Sequence, residues 1–351
     1  MNAIAIPAGP NLVYFTGLHF HVSERPAVLL VSEAQQPIFI FPGFEVEKVE
    51  QADISLELYP YGETRKEWGK TFQNAIAAAY QPGNIVMGVE PAAMRFLEMD
   101  LIRSSDKTIT FTSAGDIIAT IRACKDTCEI DHIQEAIKIA ENALKRTLPT
   151  IQTGVTEKEI ANQLVVNLLR EGSDPNLPFF PIVASGPNSA NPHATPSNRE
   201  LSTGDVVIID WGARFEGYIS DITRTFAIDN ISPELQKIYE IVKKANKNAR
   251  IIKSKALSGK KIDQAARELI DNAGYGTAFL HRTGHGYGLE AHEPPYIASD
   301  NTRSIQPGMT FTIEPGIYLS GIGGVRIEDD IVARKKELET LTTLDRDLII
   351  L

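Results

Sequence analysis

Cysteine, tryptophan and methionine are all scarce in this chain, at two, two and five residues. Two cysteines exclude a disulfide-stapled scaffold of the kind small secreted domains need. Cys124 and Cys128 stand four apart in a helical pattern with no second Cys or His pair at ligand spacing beside them, and they read as reduced thiols without a task. No run approaches the roughly 18 apolar residues of a membrane-spanning helix, so no membrane partner is expected. The opening MNAIAIPAGP lacks the basic segment of a secretory signal, and the reading is a cytoplasmic protein. Positive charge is short as well, with 35 Lys and Arg against 45 Asp and Glu and a net charge of −10. A dedicated nucleic-acid partner requires the opposite sign. The stretch from Lys243 to Lys261 is basic and free of acids, yet Ile238, Ile241, Ala245, Ala249 and Ile252 give it an ordinary buried face, so it reads as one helix with a solvated outer side.

What is present is the composition of a globular protein, 43% hydrophobic and 23% charged over 351 residues, enough for about two domains. Residues 1–118 alternate short apolar runs, AVLLV (27–31), PIFIF (37–41) and IVMGVE (85–90), with helical patterns such as Trp68 to Ala79. That alternation predicts a small α/β domain. The pattern changes between 118 and 124, which places a domain boundary there and divides the chain into 1–118 and 119–351. A long amphipathic helix follows, with Ile130, Ile133, Ile137, Ala140 and Leu144 on one face.

The second part contains an internal repeat. GVTEKEIANQL (154–164) matches GKKIDQAAREL (259–269), and TGDVVIIDWGARF (203–215) lies over PGMTFTIEPGIYL (307–319). The alignment pairs Gly204 with Gly308, Asp210 with Glu314 and Gly212 with Gly316. Two copies of such length are too few for a solenoid, and duplicated halves pack about a pseudo-twofold axis with a site between them.

Each half carries two acids on strand segments. Asp210 ends GDVVIID, Asp221 returns in YISDITRTFAI across a hairpin flanked by Gly212 and Gly217, Glu314 lies in FTIEPGIYL and Glu328 in VRIEDDIVA. An acid inside an apolar strand is costly to bury unpaired. Four converging carboxylates repel one another unless cations sit among them, or unless Arg224, Arg326 and water cap them singly. A second concentration of chemistry is HRTGHGYGLEAHEPP (281–295), which holds three of the seven histidines. Imidazole is both a metal ligand and a group that titrates near neutral pH. Oxygen-rich ligand sets favour hard ions, and one imidazole moves the preference toward Mn²⁺, Co²⁺, Fe²⁺ or Zn²⁺.

Asp210, Asp221, His285, Glu314 and Glu328, in this order and in the contexts DWG…SDITRT, HRTGHGYGLEAHEPP, FTIEPGIY and GVRIED, resemble the pita-bread-fold metallopeptidases. The wording is closest to their proline-specific branch of aminopeptidase P and prolidase. The resemblance covers 124–351 and extends weakly to the N-terminal part through PNLVYFTG (10–17). It implies an α/β (α+β) protein in which a small creatinase/prolidase-like N-terminal α/β domain precedes a pita-bread catalytic domain with an internal pseudo-twofold repeat. It also implies two divalent metal ions, Mn²⁺ first with Co²⁺, Fe²⁺ or Zn²⁺ as alternatives. Asp221 and Glu328 would bridge the ions, Asp210 would complete one site, and His285 with Glu314 the other. By the same resemblance His193 and His292 stand in the substrate space, His281 props the histidine loop, and Arg326 braces the site. A homodimer is implied too, although the chain opens with the strand-like NAIAI where the family has a helix. The glycines at 284, 286 and 288 are expected to let the backbone approach the metal.

The implied chemistry is hydrolysis of the peptide bond before proline. Two cations make a water nucleophilic near neutral pH, Glu314 takes its proton, and His193 or His292 meets the oxyanion. A histidine or Glu314 would protonate the leaving ring nitrogen. Phe179 and Phe180, in LPFFPIVASG, would line a pocket for the substrate's first residue or belong to a core strand. An Xaa-Pro dipeptidase must hold a free carboxylate, most simply with an arginine. Some prolidases carry one just after HE-x-P, where this chain has Tyr296, which leaves Arg25 of SERP as the candidate. The alternatives are an aminopeptidase acting on longer Xaa-Pro peptides and a catalytically silent binding module.

Overall fold

The computed structural model describes residues 1–33, 35–80, 83–254 and 256–351, which form two compact units, Met1–Arg122 and Ala123–Leu351. The predicted boundary at 118 falls inside a helix, so the first unit runs on to Arg122.

The first unit is the expected mixed α/β structure. Its strands are β1 (Ala3–Pro7), β2 (Val28–Val31), β3 (Ile38–Pro42), β4 (Glu57–Tyr61), β5 (Val86–Val89) and β6 (Thr110–Ser113). They form one sheet in the order β4-β3-β2-β1-β5-β6, antiparallel at β1/β2 and β2/β3 and parallel elsewhere. Helices α1 (Pro10–Thr16), α2 (Val46–Glu50), α3 (Arg65–Ala79), α4 (Phe96–Ser105) and α5 (Gly115–Ala123) complete it. The three apolar runs read from the sequence supply β2, β3 and β5, and Trp68, Phe72 and Ile76 of α3 enter the core.

The second unit repeats one order of elements. Helices α6 (Thr127–Thr147) and α7 (Glu157–Arg170) precede β7 (Ile182–Ser185), β8 (Val206–Trp211), the short pair β9 (Arg214–Phe215) and β10 (Tyr218–Ile219), and β11 (Ile222–Ala227). Helices α8 (Pro233–Arg250) and α9 (Gly259–Asn272) then precede β12 (Gly284–Gly286), β13 (Glu293–Ile297), β14 (Thr310–Ile313), the pair β15 (Gly316–Leu319) and β16 (Gly323–Arg326), and β17 (Asp329–Ala333). Strands β18 (Leu338–Thr340) and β19 (Ile349–Ile350) close the chain. The repeat is legible in the backbone itself, since the matched glycines 204 and 308 adopt φ of 93° and 89°, a region that L side chains disfavour. The sheets are β19-β11-β8-β7 and β13-β12-β14-β17-β18.

Helix α6 buries the predicted face of Ile130, Ile133, Ile137, Ala140 and Leu144, each large side chain contributing roughly 2 kcal/mol of hydrophobic stabilisation. Its start is fixed by Asp126 and Glu129, which cap each other's backbone amides at 2.9 and 2.8 Å. Because α6 begins at Thr127 and α5 ends at Ala123, Cys124 and Cys128 do not share a helix as expected, and both are free and exposed. The basic stretch from Lys243 is likewise not one helix: α8 stops at Arg250 and α9 starts at Gly259 behind a Ser258 cap, while Lys255 lies outside the described residues. Among the described residues no helix is long and apolar enough to cross a membrane.

Fully buried Glu157, at the start of α7, ties the long loop that carries His193. It accepts from the amide and hydroxyl of Ser185, both at 2.7 Å, from the Asn188 amide at 3.1 Å, and from the amide and hydroxyl of Ser197 at 3.0 and 2.6 Å. Burial alone would push this carboxyl up, but the serine donors together outweigh it and hold its pKa below the usual range. A depressed folded-state pKa contributes stability that is present above the unfolded value of about 4.3 and is lost as pH falls through the folded one. Glu157→Gln should therefore cost about 2 kcal/mol at pH 7, measured by chemical denaturation, and the difference from the parent chain should shrink below pH 4.

Candidate metal centre

Five side chains borne on or beside strands of the second unit converge. Strand β8 is anchored by fully buried Trp211, whose Nε1 donates to the Ala140 carbonyl at 2.9 Å, and this fixes Asp210 one position earlier. Asp221 stands just ahead of β11, where its amide donates to Asp330 Oδ2 at 3.1 Å. Glu314 follows β14, and its amide donates to the Thr283 carbonyl at 2.8 Å. Glu328, between β16 and β17, bridges in backbone to Thr223, whose hydroxyl donates to Glu328 Oε2 at 2.6 Å. His285 lies in β12 with Nε2 at 3.4 Å from Glu314 Oε1 and 3.7 Å from Asp221 Oδ2. All five line a cavity of about 740 Å³ together with Phe179, Phe180, His193, His281, Arg282, His292 and Arg326.

The electrostatics of the cluster call for a cation. Burial, then the charge of Glu328, pushes Asp221 well up; burial, then Glu314, does the same to Glu328. Burial raises Asp210 against the pull of Arg326, and raises Glu314 to about 7. Asp210 Oδ1 is buried without a hydrogen-bond partner. Ligand atoms of Asp221, His285 and Glu328 lie within 4.8 Å of one another. An orphaned carboxylate oxygen, mutually repelling acids and a mixed O/N donor set at that spacing fit a divalent ion.

The imidazoles stay neutral. Burial, reinforced by Arg326, lowers His281 to about 4. Burial also lowers His285 and, with the charge of Arg282, His292. A neutral imidazole retains the lone pair a metal needs. His281 Nε2 lies 2.8 Å from the Tyr318 hydroxyl and Nδ1 2.8 Å from the Arg282 carbonyl, while the rings of His285 and His292 meet edge to face at 4.1 Å. His193 is exposed at the rim, where its amide donates to Asn191 Oδ1 at 3.1 Å.

Arg326 is wholly occupied by protein. It donates to Asp210 Oδ2 at 2.6 Å, the Tyr318 hydroxyl at 2.9 Å, Thr223 Oγ1 at 3.1 Å and the Pro192 carbonyl at 3.3 Å. Its place is behind the acids, and Arg224 serves Asp329 instead, at 2.8 Å. Phe179 and Phe180 precede β7 and form cavity wall, Phe180 being 57% exposed, so the core-strand alternative does not hold. Arg25 belongs to the first unit, where it donates to Glu24 at 2.7 Å and Glu63 at 3.0 Å.

The glycines of the histidine stretch pack closely against protein. A Cβ on Gly284 would lie 1.9 Å from the Thr312 carbonyl, one on Gly286 2.5 Å from the Glu293 carbonyl, and one on Gly288 2.8 Å from Lys125. They permit close packing of neighbouring strands and of a buried lysine. Sequence reasoning missed Tyr318, Thr223 and Asp330, whose roles rest on cross-strand register, and Arg282, whose signal was an unassigned cation inside HRTGHG.

Residues 131–335 match Metallopeptidase family M24, and residues 1–124 match the Creatinase/Prolidase N-terminal domain. A dipeptidase from Pyrococcus horikoshii OT3 is 39% identical with a TM-score of 0.93, over 100% of this chain and 96% of that one. A prolidase from Thermococcus sibiricus is 35% identical with a TM-score of 0.92, over 100% and 95%. An X-Pro aminopeptidase from Thermotoga maritima is 32% identical with a TM-score of 0.86, over 100% and 98%.

Divalent ions should stabilise the fold itself. Treatment with a chelator should lower the thermal midpoint, and Mn²⁺ at ~100 times its dissociation constant should raise it again by about 5 to 10 °C. In Asp221→Asn that rise should shrink severalfold. A midpoint indifferent to divalent ions would mean that the acids are held protonated instead.

Proposed function

The chain belongs to metallopeptidase family M24, and from that premise we propose that it hydrolyses the bond before proline in Xaa-Pro dipeptides. The family implies a divalent metal cofactor. Our reading is that two ions, most simply Mn²⁺, would be held by Asp210, Asp221, His285, Glu314 and Glu328. The observation that carries the reading is that this ligand set and three further histidines line one cavity beside an aromatic wall. The dipeptidase choice is supported by full-length likeness to a dipeptidase at 39% identity and to a prolidase at 35%. A homodimer in the cytoplasm, with no nucleic-acid or membrane partner, completes the proposal.

The bound ions supply the acidity that makes a water nucleophilic near neutral pH and a positive field for the developing oxyanion. Glu314, with Oε1 near Thr312 Oγ1 at 3.3 Å, holds the proton released as the water attacks. His292, neutral beside His285, and His193 at the rim offer N–H donors to the oxyanion. Collapse breaks the C–N bond, and the ring nitrogen of proline takes a proton from Glu314 or a histidine. Phe179 and Phe180 exclude water around the first residue, and Arg326 holds Asp210 in place.

Ala-Pro, Ala-Pro-Ala and Ala-Ala should be offered to metal-stripped chain reloaded with Mn²⁺. Cleavage of Ala-Pro alone is expected, Asp221→Asn should be inactive, and Glu314→Gln should lower kcat about 100-fold or more. Turnover of the tripeptide would make it an aminopeptidase, and no turnover with Mn²⁺, Co²⁺ or Zn²⁺ would leave the binding-module alternative.

A further inference from the structure

We infer that Arg282 binds the C-terminal carboxylate of the dipeptide and thereby sets the length of substrate the site accepts. The inference rests on the Xaa-Pro dipeptidase reading. A dipeptide places its free carboxylate one residue, roughly 3.5 Å, beyond the scissile bond, so the group that receives it must belong to the same cavity. Binding a desolvated carboxylate beside four acids requires a permanent cation with unoccupied donors.

The cavity offers few candidates. Of its histidines, His285 belongs to the ligand set, His292 packs edge to face on it at 4.1 Å, His281 is taken up by the Tyr318 hydroxyl and the Arg282 carbonyl, and His193 is exposed at the rim. Arg326 is a permanent cation, but its donors are spent on Asp210, Tyr318, Thr223 and Pro192. Arg282 is different: among the described residues no carboxylate lies within ion-pair distance of it, and its side chain donates to no protein acceptor. It stands three residues before His285 and lines the same cavity as Glu314, His285 and His292.

Its pose also suits the ligand. The guanidinium lies over the ring of Tyr296, 4.4 Å from the centroid. A contact made through the face of a guanidinium leaves its N–H edge free, and that edge pairs with a carboxylate through two parallel hydrogen bonds. A tyrosine beneath restrains the side chain at little entropic expense and adds no negative charge to compete with the substrate. A longer peptide would bring a neutral amide to the same place, which accepts less strongly and carries no charge.

The test compares Ala-Pro, Ala-Pro-amide and Glu-Pro on the Mn²⁺-loaded full chain and on Arg282→Gln and Arg282→Lys, each checked for the Mn²⁺-dependent thermal shift. The parent chain should prefer the free acid to the amide. Arg282→Gln should lose about 10- to 100-fold in kcat/KM on Ala-Pro, mostly through KM, while its rate on the amide holds, so the preference collapses. Arg282→Lys should recover part of the loss as a point charge without the bidentate edge. Equal losses on acid and amide, or none, would overturn the assignment. Loss confined to Glu-Pro would do the same by placing Arg282 against the side chain of the first residue. A parent chain idle on Ala-Pro would instead remove the dipeptidase reading underneath.

Discussion

Four carboxylates confined to one buried cluster repel each other, and most of what surrounds them answers that repulsion. Two of them, Asp210 and Glu328, are braced by Arg326 and by the Thr223 hydroxyl. Asp221 and Glu314 lie against the His285 imidazole at 3.7 and 3.4 Å, and no arginine among the described residues pairs with either acid. The acids sit at the ends of strands whose other residues are core, so one side of the cluster meets packed protein. The protein thus stores an unfavourable field that a divalent ion relieves, which makes metal affinity and strand geometry two aspects of one free energy.

The triad Glu328-Asp329-Asp330 shows how finely this field is partitioned. Successive strand residues face opposite sides. Glu328 faces the cavity, while Asp329 turns the other way into the guanidinium groups of Arg224 and Arg346, both at 2.8 Å, and the Asn246 amide at 3.0 Å. Burial would raise Asp329, but these arginines win and keep it ionised. Asp330 returns to the cavity side to receive the Asp221 amide. Three consecutive acids therefore serve as candidate ligand, structural counter-ion and support.

Much of this was legible in the residues. Asp210, Asp221, Glu314 and Glu328 announced themselves because acids in apolar strands need a reason, and the 204/308 register of the repeat paired them. The α6 face was legible because a 3.6-residue period survives any tertiary context. What escaped depends on the third dimension. Tyr318 reaches Arg326 and His281 only because β15 and β16 pair, and Arg282 gains meaning only once Tyr296 lies beneath it. The protein neighbours of the glycines at 284, 286 and 288 escaped for the same reason, since sequence shows a missing side chain but not what fills its space. Breaks at Cys124 and after Arg250 were hidden by helix-forming residues on both sides, where chain direction changes without a proline to mark it.

Strand β19 pairs parallel with β11, Phe226 opposite Ile349 and Ala227 opposite Ile350, and the Leu351 backbone both donates to Ala227 and accepts from Asp229 at 2.8 and 3.0 Å. It covers the flank of the strand that leads out of Asp221, an edge whose unpaired amides would otherwise be a template for association.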